Sequence, residues 1–419
     1  MNISYVERSK VTALIKLSLF SFSFLPSFSM LTHLTRRSCC TLLRSSVSDF
    51  ANSVILPKVS QMDSAGVMDP KVIAGLFDQG FMGIEIPENF AGAGLSFTDS
   101  IIVIEELAKV DPAVAALADI HNTLMNRALM KFGTEEQKEH WLPLLATSTV
   151  GSFAISESAA GSDAFGGMRT TATRSDSDTF ILNGEKAWIS NSRDGESGML
   201  LVFAKTSPSQ ISAFIMDRAT PGIAVGKKED KLGIRASSTC VISFTDVKLE
   251  KSSLLGEIGS GAKIAIGLLN EGRIGIAAQM LGLARGSFDV GMKYMLSRSQ
   301  FGQPIANFQG MKHQYAQIYT EIQAAHGLVY SAASLKERAD LGEISEKDYI
   351  KEASMAKLFA SQIAEKTASK VIEWMGGVGF TKEYPAEKFF RDSKIGSIYE
   401  GTSNVQLDTI AKQLIKEYQ

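Results

Sequence analysis

The residues best suited to chemistry lie near the end of the chain, in Tyr399-Glu400-Gly401-Thr402-Ser403-Asn404. A carboxylate follows Ile398 and Tyr399 and precedes Gly401, whose backbone is free to turn. Thr402, Ser403 and Asn404 can each cap the following helix, with apolar positions at Val405, Ile410 and Leu414. An acid there can be an ordinary first-turn residue, stabilised by the helix dipole. It can also be a base, placed to take a proton from a bound substrate. The stretches upstream decide between the two.

Five of them carry candidate groups. Ala154–Gly166 reads AISESAAGSDAFG. Its small residues let a flat or extended ligand approach the backbone, Ser156 and Ser162 offer neutral donors, and Glu157 and Asp163 could orient the loop. Trp188-Ile189-Ser190 ends a strand, where the indole could stack on a planar cofactor or fill the mouth of a barrel. Asn270-Glu271-Gly272-Arg273 puts two charges into a Gly/Ala-rich helix, where they must be paired, solvated or engaged by a ligand. Glu373-Trp374-Met375-Gly376-Gly377-Val378-Gly379-Phe380 is followed by Glu383, Lys388 and Asp392. Arg298, with Gln309, flanks Phe301-Gly302-Gln303-Pro304 and would suit a phosphate. Taken singly, each also describes core packing or a solvated helix face.

The elements that must position these groups change character twice. From Val47 to about Ser148 the pattern is helical: Asp69-Pro70 opens a helix that ends near Gly80, and Thr98–Val110, Ala113–Phe132 and Thr134–Leu145 follow. From Gly151 to about Glu250 short strands dominate, with Asn183-Gly184 predicting a hairpin between Phe180–Leu182 and Lys186–Ile189. This block suggests a small barrel or sandwich. Helix returns at about Gly261. Lys263–Ser297, Asn307–Ala339, Ser345–Trp374 and the helix after Asn404 are enough for an up-and-down bundle. The expected organisation is a leader over 1–46, a helical domain over 47–148, a β domain over 149–255 and a bundle over 256–419, an α+β multidomain fold.

Composition narrows the function classes. The chain has 419 residues, 45% hydrophobic and 21% charged, with a formal net charge of −2. That charge gives no reason to expect nucleic acid or an anionic membrane surface as partner, and no integral membrane association is expected. Three cysteines are too few for a disulfide framework, and the five histidines lack metal-ligand spacing, so no metal is expected. Between Arg8 and Ser48 there is no acid, while Lys10, Lys16, Arg36, Arg37 and Arg44 stand among many Ser and Thr. This is the composition of a mitochondrial transit peptide. A secretory signal built on Leu17–Met30 is the alternative, and Met30 offers a second start.

From about Val47 to the C-terminus the chain resembles the acyl-CoA dehydrogenases. Ala154–Gly166 and Glu373–Asp392 look like that family's two sequence signatures. The runs LNEGRIGIAAQMLG (Leu269–Gly282) and KEASMAK (Lys351–Lys357) are most similar to its mitochondrial short/branched-chain members, whose substrates include 2-methylbutanoyl-CoA. The resemblance implies FAD between β domain and bundle, in a homotetramer (a dimer of dimers) where a neighbouring subunit completes the flavin site. By motif position it implies FAD contacts from Phe153, Ala154, Ile155, Ser156, Glu157, Ser158, Ala159, Ala160, Gly161 and Ser162, and from Trp188, Ile189 and Ser190. It implies others from Arg298, Gln309, Glu373, Trp374, Met375, Gly376, Gly377, Thr402, Ser403 and Asn404. Ser162, Asn270, Glu271, Gly272 and Arg273 would contact the CoA ester, and Glu400 would be the catalytic base.

The implied reaction is α,β-dehydrogenation of a short or 2-methyl-branched acyl-CoA to the trans-2-enoyl-CoA. Glu400 takes the α-proton and FAD accepts the β-hydrogen as hydride. The setting would be the mitochondrial matrix, in fatty acid or isoleucine/valine catabolism, with electron-transfer flavoprotein as electron acceptor. Some relatives keep the base on the bundle helix, at the position of Gly272, so Glu400 has no competitor there. Three departures stand out: a first helix that looks shortened, Ala262 in place of an aromatic, and a short Ser207–Ser212 loop. The alternatives are a straight short-chain dehydrogenase, an acyl-CoA oxidase, and a non-catalytic assembly protein of the same fold.

Overall fold

The computed structural model describes residues 40–419. The expected leader lies outside the described residues as far as residue 39.

From residue 40 one nearly unbroken helical run (α1) extends to Ala65, through a π-helical stretch Ala51–Ile55 and a tight turn Leu56–Lys58. This corrects the expected leader boundary. Leu43 is buried in the main core, and Arg44 reaches Glu105 at 3.0 Å and Glu106 at 2.5 Å. The first helix is therefore not shortened. A basic, acid-free composition hid it, because the acids that Arg44 meets lie some sixty residues on. Helix α2, Pro70–Asp78, is capped by Asp69, which accepts from the Lys71 N–H at 2.7 Å. Helix α3, Phe97–Ala108, opens on a capping box of Ser96 and Asp99. Helix α4, Pro112–Asp119, does not run evenly to Phe132. It passes through a π-helical stretch, Ile120–Asn126, before α5, Arg127–Phe132. Helix α6, Glu135–Thr147, completes this part.

Strands β1 (Thr149–Ala154), β2 (Thr171–Arg174), β3 (Thr179–Ser190), β4 (Ser197–Ser207), β5 (Gln210–Asp217), β6 (Ile223–Lys228), β7 (Thr239–Glu250) and β8 (Leu254–Leu255) form one mixed sheet. Its order is β6-β7-β3-β2-β4-β5-β8, and β1 pairs parallel to β4. The expected hairpin at Asn183-Gly184 is absent. β3 runs straight through it and pairs with β7 on both sides, across a register shift between Leu182 and Gly184. The Asn183 side chain bonds to Asp246 at 3.0 Å, and Gly184 at φ 141° lies with its Cα face against Thr170. The dipeptide makes a β-bulge, where only glycine allows the close approach.

Helices α7 (Gly261–Ser297), α8 (Gln309–Asp340), α9 (Ile350–Met375) and α11 (Ser403–Tyr418) form the bundle, with the short α10 (Ala386–Ser393) across it. Among the described residues no helix is long and apolar enough to cross a membrane.

Two buried ionic clusters tie the parts together. Arg127 of α5 bonds to Glu85 at 2.9 Å, to Glu271 of α7 at 2.8 Å and to Asp340 of α8 at 2.9 Å. Lys388 of α10 bonds to Asp111, the cap of α4, at 2.9 Å and to Asp392 at 2.6 Å; Asp392 also accepts from the Ile234 N–H at 2.6 Å. Buried charges persist only where partners of this kind offset their lost hydration.

Candidate active site

Glu400 stands on a left-handed turn just before α11, with φ 51°, and Gly401 follows at φ 86°. A non-glycine residue there is held by its surroundings. Gln406 donates through Nε2 to the carbonyls of Glu400 and Gly401, each at 2.9 Å, and Lys357 of α9 donates to the Gly401 carbonyl at 2.7 Å. Tyr399 donates to Gln279 of α7, which in turn donates to the Pro112 carbonyl at 2.7 Å. Thr402 caps α11, accepting from the Val405 N–H at 3.4 Å.

The turn aims the Glu400 carboxylate at α7. A Cβ added to Gly272 would stand 3.0 Å from Glu400 Oε2 and 3.0 Å from Leu124 Cδ2. Gly272 is the space the carboxylate uses. Part of the Glu400 surface remains open, but Oε2 is enclosed and has no hydrogen-bond partner. Arg273 turns to Asn270 at 2.8 Å and Ser354 at 3.3 Å, leaving its Nε unpartnered as well. Burial pushes Glu400 up, against the pull of Arg273 and Lys357, to about 7. Burial likewise pushes Lys357 down to about 8, although the Glu400 charge opposes it. A second carboxyl faces the site: Asp119 of α4 accepts from Thr123 Oγ1 at 2.9 Å, and burial raises it well above the ordinary range, with Glu400 adding to the rise. The result is a carboxylate that can exchange a proton near neutrality, as a general base requires.

Glu271 does not belong to this group. Its side chain is wholly buried on another face of α7, bonded to Arg127 at 2.8 Å and Lys131 at 2.5 Å. Burial would raise it, but Arg127, Lys336 and Lys131 outweigh that and hold it down to about 2. The expected substrate contact is thus corrected to a structural anion, because successive helical residues point about 100° apart.

The Ala154–Gly166 loop is pinned from beneath by Glu157. Its carboxylate accepts from the backbone N–H groups of Arg169 (2.7 Å) and Thr170 (3.0 Å) and from Lys186 (2.8 Å). Glu157 therefore supports the loop and, bonded inward, presents no group to a ligand. Phe153, Ala154, Ile155 and Ala160 are also buried, while Ser158, Ala159, Gly161 and Ser162 are exposed and Ser156 is half-buried. Trp188 sits at a second irregularity of β3 with φ 64°, and the residue is 59% exposed. Ile189 is buried beside it and Ser190 half-buried.

The remaining candidates lie elsewhere. Arg298 and Gln309 are exposed at the far end of α7, beside Phe301. At 1.5 Å rise per residue, α7 separates Arg273 from Arg298 by about 37 Å. Trp374 packs on Phe288 in the bundle core and donates to Gln314 at 3.1 Å, and Met375 is buried too. Of the five residues Glu373–Gly377, Glu373, Gly376 and Gly377 are exposed. Ser403 begins α11 half-buried, and Asn404 is exposed. The exposed indole, the hydroxyl-rich loop and glycines such as Gly161, Gly376 and Gly377, where a Cβ would meet nothing within 4 Å, fit a large planar cofactor with polar substituents. Three residues at the turn were not singled out from sequence: Lys357, Gln406 and Asp119. A lysine directly after the uncharged run Ala353-Ser354-Met355-Ala356 was the available signal for the first.

Comparison with known proteins agrees along the chain. Family models described as the acyl-CoA dehydrogenase N-terminal, middle and C-terminal domains match residues 40–149, 152–247 and 259–415. The chain is 51% identical over 382 residues to a probable short/branched chain specific acyl-CoA dehydrogenase of Dictyostelium discoideum, covering 90% of each. It is 52% identical over 381 residues to the mitochondrial short/branched chain specific acyl-CoA dehydrogenase of Rattus norvegicus, covering 90% of this chain and 86% of the relative. An acyl-CoA dehydrogenase from Bacillus anthracis, solved in complex with FAD, superposes with TM-score 0.84 at 29% identity, over 94% of this chain and 68% of that one.

Proposed function

The chain belongs to the acyl-CoA dehydrogenase family, and from that premise we propose that Glu400 is the base of its reaction. The protein is an FAD-dependent oxidoreductase that dehydrogenates short or branched acyl-CoA thioesters between Cα and Cβ. The observation that carries the assignment is the enclosed, unpartnered Oε2 of Glu400 opposite Gly272. With the α-carbon of a thioester in that space, Glu400 takes the α-proton. In this reading the Glu400 N–H, on the same turn, polarises the thioester carbonyl. Arg273 and Asn270, bonded together at 2.8 Å, flank the acyl group. The chemistry that FAD supplies when bound is acceptance of the β-hydrogen as a hydride, which leaves the trans-2-enoyl-CoA. Ser156, Ser162, Trp188, Thr402 and Ser403 would hold it on this chain.

The substrate we favour is 2-methylbutanoyl-CoA, a short and branched thioester of the class that the names of the relatives at 51% and 52% identity state. Arg298, Gln309, Gly376 and Gly377 would meet the FAD of a second copy, in a homotetramer built as a dimer of dimers. The separation of about 37 Å along α7 between Arg273 and Arg298 supports that reading, as does the exposure of Phe301 and Phe380. The rat relative is named as mitochondrial; we place this protein in the mitochondrial matrix, passing electrons to electron-transfer flavoprotein.

The test is Glu400→Gln in the FAD-loaded enzyme, mixed with 2-methylbutanoyl-CoA. The flavin absorbance should persist where wild type bleaches at once. A variant that bleaches at the wild-type rate would show that Glu400 is not the base. Rapid oxygen uptake by the reduced enzyme would instead favour an oxidase.

A further inference from the structure

Lys357 is wholly buried in α9, and among the described residues its ammonium bonds only to the carbonyl of Gly401, at 2.7 Å. That is an unusual place for a charge. A buried ammonium loses its hydration, and one neutral carbonyl returns little of it. Gln406 already serves the same carbonyl without a charge, at 2.9 Å. What the charge has to act on is the Glu400 carboxylate, one residue before Gly401. The other charged or titratable groups around that carboxylate are Arg273 from α7, Asp119 from α4 and Tyr399 from its own turn. Of these, Asp119 is acidic and works against ionisation of Glu400, so two cations face it.

We propose that Lys357 is the positioning residue of the base: its ammonium holds the Gly401 carbonyl so that the left-handed turn aims Glu400, and it sets a second positive charge beside the carboxylate. The inference rests on Glu400 being that base. α9 is then part of the site and more than a wall of the bundle. Ser361, one turn along, extends the same hold by bonding the Lys357 and Gly396 carbonyls at 2.7 and 2.9 Å.

The experiment compares Lys357→Met, Lys357→Arg and Gln406→Met as FAD-loaded enzymes. It reads kcat and KM against pH, melting temperature, and the titration of the Glu400 carboxyl by 13C NMR, assigned by its absence in Glu400→Gln. Lys357→Met should lower kcat at least about tenfold while KM moves less than about threefold. Its acid limb and 13C midpoint should rise by about one pH unit, since a neighbouring cation has been removed. Lys357→Arg should leave the midpoint in place and recover part of kcat. Gln406→Met should lower kcat without moving the midpoint. An unchanged midpoint in Lys357→Met overturns the proposal, as does an equal shift in Gln406→Met. If Lys357→Met does not fold, a raised midpoint in a stable Lys357→Arg overturns it. Full activity in Glu400→Gln would instead sink the assignment of the base, a result separate from these.

Discussion

Gly272→Ala isolates the geometry of the base from everything else. The added methyl would stand 3.0 Å from Glu400 Oε2 and 3.0 Å from Leu124 Cδ2, and both must yield by a few tenths of an ångström to reach ordinary contact. If a 1 Å misplacement of a catalytic group costs about a hundredfold, a shift of about 0.4 Å costs about sixfold in kcat, or ~1 kcal/mol of barrier. The fold should not suffer, because alanine inside a helix is favoured over glycine by about 0.5–1 kcal/mol, which offsets the crowding. The expected result is therefore a melting temperature at or above wild type with kcat down about sixfold. Steady-state kinetics and differential scanning calorimetry on one preparation check both. Wild-type kcat would refute the placement of the carboxylate against Gly272. A fall in kcat that tracks a fall in melting temperature would show a packing defect instead.

Three further outcomes follow from the same geometry. Glu400 sits at about 7, above its ordinary 4.5, so kcat should rise with pH through about 7 while the stability from this carboxyl, intact below 4.5, is lost over the same range; Glu400→Gln should lower kcat about 10²–10⁴-fold yet melt above wild type near pH 8 and level with it near pH 5. Glu271→Gln should destabilise the fold by about 3–5 kcal/mol in urea unfolding with KM nearly unchanged, whereas a raised KM at full stability would return Glu271 to the substrate site. Gly184→Val places a Cβ 2.7 Å from Thr170 Cα at a backbone angle of 141°, and should cost at least about 1–3 kcal/mol by the same measurement.

The sequence carried the fold wherever the cue was local. Asp69-Pro70 opens α2 because a cap and a fixed φ act within three residues. The acid on a glycine turn was legible for the same reason. Cues failed where a distant partner decided. Arg44 looked like leader composition until Glu105 and Glu106 stood beside it. Asn183-Gly184 carried a hairpin signal, yet β7 pairs on both sides of it and Asp246 takes the asparagine. Glu271 shares a motif with Arg273, but Arg127 and Lys336 come from other helices and draw it away.

The four residues Asn270–Arg273 show how one helical turn divides labour. Glu271 is fixed by cations of α5 and α8, so α7 cannot rotate about its axis without breaking a buried network. That fixes the direction of Gly272, one residue on, and hence the space open to Glu400. Asn270 and Arg273, three apart, come together on the side that faces α9. From α9 Lys357 reaches the turn that carries the base. The base is therefore positioned by two helices that are each anchored elsewhere, and its enclosed, unpartnered oxygen is left for a substrate to meet, with the unpartnered Arg273 Nε close by on α7.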